Sequence, residues 1–151
     1  MNNGSKPLIP HNALVLIGDG QKALFLRNKG TAHQVSLEVE QILEQDNPAT
    51  REQGTDRPGR SIQSVGTARS AVEQSDWHHI AKERFAGEIA DALYRHAHDN
   101  RFDELVVIAP AKILGSLRQA FHAEVTDRLV GEINKELTSH PISQIEKLVA
   151  A

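Results

Sequence analysis

Residues Leu105–Arg118, LVVIAPAKILGSLR, decide the fold. Leu105-Val106-Val107-Ile108-Ala109 is an unbroken aliphatic and β-branched run, bounded by Asp103-Glu104 and by Pro110. A short run with no polar face reads as a strand buried on both sides, and such strands are typically parallel and flanked by helices. Pro110 ends the strand and suits a helix start, where its missing N–H costs nothing. Ile113, Leu114, Leu117 and Phe121 then share one helical face. The stretch is half of an α/β unit, and its turn sits where open sheets of this kind place their ligands.

Working outward, Ala13–Gly18 is a second fully apolar run and predicts a second central strand. Asp19-Gly20 is a hairpin signal, predicting a type I′ turn with both residues at positive φ. Lys22–Arg27 returns antiparallel, Asn28-Lys29-Gly30 turns again, and Gln34–Val39 alternates strictly as a half-buried strand near an edge. A helix capped by Ser75 or Asp76 is predicted to run to about His98, with Trp77, Ala81, Phe85, Ile89 and Leu93 along its stripe. After Phe121, the spacing of Val125, Leu129, Ile133 and Leu137 fits a helix, while Leu129–Ile133 also fits a short strand. The strand is favoured because the preceding helix needs a right-handed crossover partner. Pro141 opens a last helix carrying Ile142, Ile145, Leu148 and Val149. The order β-β-β-α-β-α-β-α predicts a three-layer α/β domain: a five-stranded mixed sheet, order 3-2-1-4-5, with helices on both faces. That is a ribonuclease H-like architecture.

At 151 residues, 39% hydrophobic and 25% charged, the chain has the make-up of one globular domain, read as residues 13–151 after a flexible start at 1–12. It has no cysteine, hence no disulfide and no thiolate chemistry. A net charge of −3 excludes a protein that coats nucleic acid indiscriminately but leaves room for a local basic patch. No charged leader precedes a long apolar run, which predicts a cytoplasmic protein without a membrane span.

Between Glu44 and Ser75 the apolar signal fails, predicting a long loop, and long loops in compact domains are usually functional or disordered. Its basic residues are all arginines: Arg51, Arg57, Arg60 and Arg69. Arg57-Pro58-Gly59-Arg60 beside Ser61 and Ser64 offers planar donors and backbone N–H groups to a phosphate. A solvated tether, its arginines offset by Asp46, Glu52, Asp56 and Glu73, is the plainer reading.

Other sites are weaker. Asp19 ends a central strand, where ribonuclease H-like nucleases hold a metal-binding carboxylate, and Glu83 or Glu88 could assist. The turn alone explains Asp19, however, and the neighbouring strand ends in Ala109-Pro110 without an acid. Eight histidines are present, but neither His78-His79 nor His96-x-His98 has metal-ligand spacing. His96 and His98 suit the last turn of a helix, where positive charge meets the dipole. Gly115 inside a helix costs ~1 kcal/mol against alanine and calls for close helix–sheet packing, or for an anion met by Lys112 and Arg118.

Four blocks together resemble a bacterial family: Val15–Gly20 with Ala23 and Phe25–Asn28; Arg57–Arg60 with Ser64–Arg69; Phe85-Ala86 with Leu93; and Ala109-Pro110 with Leu114–Arg118. Lys135-Glu136-Leu137-Thr138 agrees with them. From about Asn12 onward the chain is similar to the host attachment proteins, named as required for attachment to host cells. That resemblance implies kinship with the middle domain of archaeal and eukaryotic release factors and of the ribosome-rescue factor Pelota. In release factors the loop between the third strand and first helix carries Gly-Gly-Gln. Here the corresponding loop reads Arg60-Ser61-Ile62-Gln63-Ser64, a glutamine without the glycine pair and its backbone freedom.

The resulting expectation is a non-catalytic cytoplasmic domain, with no cofactor, no metal and no catalytic residue. It would associate with the ribosome or RNA through the Arg51–Arg69 loop. The anion-binding residues would be Arg57, Arg60, Gln63, Arg69, Lys112 and Arg118. The rivals are a metal-dependent nuclease or phosphoester hydrolase around Asp19, and an interaction module that forms a homodimer through an exposed strand edge.

Overall fold

Two wholly buried strands, β1 (Leu14–Gly18) and β4 (Leu105–Ala109), run parallel through the centre of the sheet, Leu14 opposite Leu105 and Ile17 opposite Ile108. The computed structural model describes residues 9–45 and 67–150, except for the side chains of 67–79. β2 (Lys22–Asn28) pairs antiparallel with β1, and β3 (Leu37–Glu44) antiparallel with β2. β5 (Leu129–Asn134) runs parallel to β4, giving the order β3-β2-β1-β4-β5. This is the expected ribonuclease H-like sheet, and Leu129–Asn134 takes the strand form because it pairs along the whole of β4.

The pleat sends alternate residues of the central strands to two cores. Leu14, Leu16, Leu105, Val107 and Ala109 face one side. They pack under α1 (Thr67–His98), α2 (Ala111–Ala120) and the single turn α3 (Ala123–Thr126). Val15, Ile17, Val106 and Ile108 face the other side, under α4 (Ile142–Val149) with Ile9, Ile145 and Val149.

Several expectations need correction. β3 lies at Leu37–Glu44, later than Gln34–Val39, because a bulge opposite Phe25/Leu26 shifts the register and lets Gln41–Glu44 continue the pairing. The turn after β1 is not type I′: Asn12 and Asn100 are the only described non-glycine residues at positive φ. Asp19 N–H instead closes on Lys22 O at 2.9 Å, and Asp19 Oδ1 accepts from the N–H groups of Gln21 and Lys22 at 2.7 and 2.8 Å. The polar side chain thus replaces the left-handed backbone. α1 starts at Thr67 rather than Ser75/Asp76, so the loop predicted to reach Ser75 ends earlier. No Gly or Pro interrupts the chain between Gly66 and Gly87, and Ala68 and Ala71 favour helix.

The start of the domain is also tighter than expected. Ile9 is fully buried, and its carbonyl and that of Pro10 accept from Asn28 Nδ2 at 3.0 and 3.3 Å. Residues 1–8 lie outside the described part. Gly115 is not explained by close packing, since a Cβ there would meet nothing within 4 Å.

Candidate functional site

The carboxyl ends of β1, β4 and β5 form one edge of the sheet, and the segment between β3 and α1 departs from it. Gln45, the last described residue before that segment, donates its N–H to Gln21 O at 2.7 Å and its Nε2 to Ala81 O at 2.8 Å. α1 packs on the sheet from Ala81 onward through Phe85, Ile89 and Leu93. The residues from Thr67 to Ile80 precede that point by about 20 Å of helix.

Asp19 sits at this edge with all its described bonds inside the fold: Oδ1 with the turn, Oδ2 accepting from Thr138 Oγ1 at 2.7 Å. Glu136 Oε2 contacts the same hydroxyl. Glu83 does not join Asp19 but accepts from Ser116 Oγ at 3.0 Å. Among the described residues, no group of three or more His, Asp or Glu side chains gathers as a metal site.

Of the residues expected to meet an anion, Arg57, Arg60 and Gln63 lie outside the described residues, as does Arg51. Arg69 lies in the first turn of α1, its side chain undescribed. Lys112 is exposed in the first turn of α2, at the same edge of the sheet. Arg118 is at the far end of that helix, held by Glu132 of β5 through Nε at 3.0 and 3.1 Å. Those hydrogen bonds, with the attraction of the carboxylate, raise its pKa. The fold does not bring Lys112 and Arg118 to one point.

At the opposite edge lies a cleft that the sequence did not announce. It has a volume of about 550 Å³ and is lined by Leu14, Phe25, Arg27, Glu40, Gln41, His96 and Arg101. The β3 bulge makes part of it. Glu40 is the extra residue, Val39 opposing Leu26 and Gln41 opposing Phe25, so Glu40 and Gln41 both reach the cleft instead of alternating across the sheet. Glu40 clamps Arg27 with two hydrogen bonds, to Nε at 3.0 Å and Nη2 at 3.1 Å. The other wall comes from the end of α1, where Asn100 takes a left-handed cap at φ 55°. The chain then doubles back, Arg101 N–H reaching His96 O at 2.9 Å.

His96 Nε2 bonds Gln41 Oε1 at 3.0 Å, and its ring meets Phe25 edge-on with centroids 6.1 Å apart. His96 lies in the last turn of the helix, as expected, but half-buried against Gln41 and Phe25. Burial, then Arg101, lower its pKa, with Arg95 and Arg27 adding and Glu40 opposing. Of these residues the sequence singles out only His96, by its place at the helix end, and nothing in it marks the bulge that completes the site.

No helix among the described residues is long and apolar enough to cross a membrane. No curated protein matches the chain. Residues 12–149 match the family described as bacterial archaeo-eukaryotic release factor family 12, and with this sheet order the chain belongs to that family.

Proposed function

We propose that this protein is a non-catalytic, cytoplasmic factor that associates with the ribosome or with RNA through the arginines of the Arg51–Arg69 segment, as a relative of the host attachment proteins. Membership of a release-factor family carries the reading, since it ties the chain to translation. The segment joins β3 to α1, the place where release factors carry their functional loop. Arg57, Arg60 and Arg69 supply phosphate contacts, Gln63 a neutral hydrogen-bonding group, and exposed Lys112 extends the basic edge. Arg118 contributes only after release from Glu132.

Sedimentation with purified ribosomes across a salt series tests this. The intact chain should pellet with ribosomes, its affinity falling steeply with salt. Replacing Arg57, Arg60 and Arg69 together by alanine should weaken binding and reduce the log–log salt slope by about 2–3. Failure to co-sediment at low salt, or a triple variant that binds as well as the intact chain, would overturn it.

A second reading rests on β3. This edge strand leaves Val39 and Ile42 44% and 52% exposed, a surface suited to pairing with a second copy. A doubled mass in solution, lost on Ile42→Lys, would support that module.

A further inference from the structure

We infer that the cleft between the β3 bulge and the end of α1 is a binding site for a small organic anion of mononucleotide size, held by Arg101 and the Gln41–His96 pair. This site is separate from the arginine segment. Leu14 at the start of β1 and Arg101 just before β4 line it, whereas Gln45 leads into the segment at the carboxyl end of β1.

Size is the first argument: about 550 Å³ lies within the ~300–1,000 Å³ usual for small-molecule sites. Construction is the second. A bulge on one wall and a left-handed helix cap on the other bring Gln41 together with His96 and Arg101 from two separate parts of the chain. Bulges are over-represented beside functional sites because they re-aim side chains.

Charge is the third. The Arg27 guanidinium is matched by the two-point clamp of Glu40 and a bond to Asn12 O at 3.2 Å, its side chain only 10% exposed. Arg101 is different: its side chain is 61% exposed, and the ion pair it makes with Asp99 is long, at 4.0 Å. Two guanidinium groups, Arg27 and Arg101, line the cleft against one carboxylate, Glu40, so the lining carries a positive field. An anion is the ligand such a field attracts.

The hydrogen-bonding groups add selectivity. Gln41 Oε1 only accepts, so the His96 nitrogen facing it carries the proton, and a neutral ring leaves Nδ1 as an acceptor. Gln41 Nε2 keeps two N–H donors. A phosphate matches the fork of Arg101, and a heterocycle with a donor and acceptor edge matches the Gln41 amide and the His96 ring. A nucleoside monophosphate joins these features in one molecule.

The test is titration of the full-length protein with adenosine 5′-monophosphate, followed by NMR of the His96 imidazole and the Gln41 side-chain amide. Adenosine and inorganic phosphate serve as separate arms. Saturable movement of both signals is expected, with the His96 midpoint moving upward because a bound anion offsets the arginines. Arg101→Ala should weaken binding about tenfold or more, and Gln41→Ala should weaken it less. Both variants should keep the dispersed spectrum of a folded chain, since Arg101 is exposed and Gln41 lies on an edge strand. Signals unmoved at ~10 mM ligand, an affinity unaltered by Arg101→Ala, or equal binding of phosphate alone would overturn the assignment. Ribosome sedimentation is indifferent to this result, so the two proposals fail separately.

Discussion

Thr138 donates its hydroxyl to Asp19 Oδ2 at 2.7 Å, joining the end of β1 to the segment after β5 across 119 positions of sequence. The carboxylate that a nuclease would offer to a metal is thereby spent on the fold, its other oxygen holding the β1–β2 turn. Thr138 is only 7% exposed, so its partner cannot be replaced freely by water. Thr138→Val should lower unfolding free energy by about 1–2 kcal/mol, read from urea denaturation. Asp19→Ala should cost more, because it also strips the turn of its two acceptor bonds.

Asn28 predicts a larger effect. It is fully buried, and its Nδ2 donates to the carbonyls of Ile9, Pro10 and Thr31. Its Oδ1 accepts from the N–H groups of Gly30 and Ser36 at 2.9 and 3.0 Å. One side chain thus pins the start of the domain and the β2–β3 connection. Asn28→Ala should cost about 3 kcal/mol, and Asn28→Asp should also destabilise, since a carboxylate cannot donate to three carbonyls. Protection of the Gly30 and Ser36 amides from hydrogen exchange should fall in both.

Two glycines should respond with opposite signs. At Gly30 a Cβ would stand 2.0 Å from Gln34 O, so Gly30→Ala must displace backbone and should destabilise by more than about 2 kcal/mol. At Gly115, in the middle of α2, a Cβ meets nothing within 4 Å. Gly115→Ala should therefore stabilise by about 0.5–1 kcal/mol through helix propensity. Thermal melts of the two variants, run side by side, check both.

His96 predicts a pH dependence. Burial first, and then Arg101, depress its pKa in the folded chain below the ordinary 6.5. Between the folded value and 6.5 the unfolded chain binds the extra proton. The His96 contribution is therefore complete above pH 6.5 and is lost as pH falls through the folded value. Urea midpoints between about pH 5 and 7.5 should fall toward acid, and His96→Gln should flatten that slope relative to the parent chain.

Much of the architecture was legible in the residues because burial writes itself into composition. Leu105–Ala109 and Ala13–Gly18 carry no polar face, so they had to lie at the centre. Gln34–Val39 alternated, so a strand there had to lie toward an edge, though the strand that forms is the eight residues Leu37–Glu44, around a bulge no pattern announced. Kinship with the release factors, too, was within reach of ordered short motifs spread over the chain.

What the linear order could not decide is who meets whom. Asp19 looked like a metal ligand or a turn residue until Thr138 arrived from the far end of the chain. Arg118 offered a guanidinium in the sequence, and only the fold shows that Glu132 of β5 pairs with it. His96 looked like a solvated charge until the bulge set Gln41 beside it. Apolar periodicity is a local quantity, and one strand or helix suffices to express it. The charge state and partner of a polar side chain depend on groups from several elements at once, and only the closed tertiary structure supplies those.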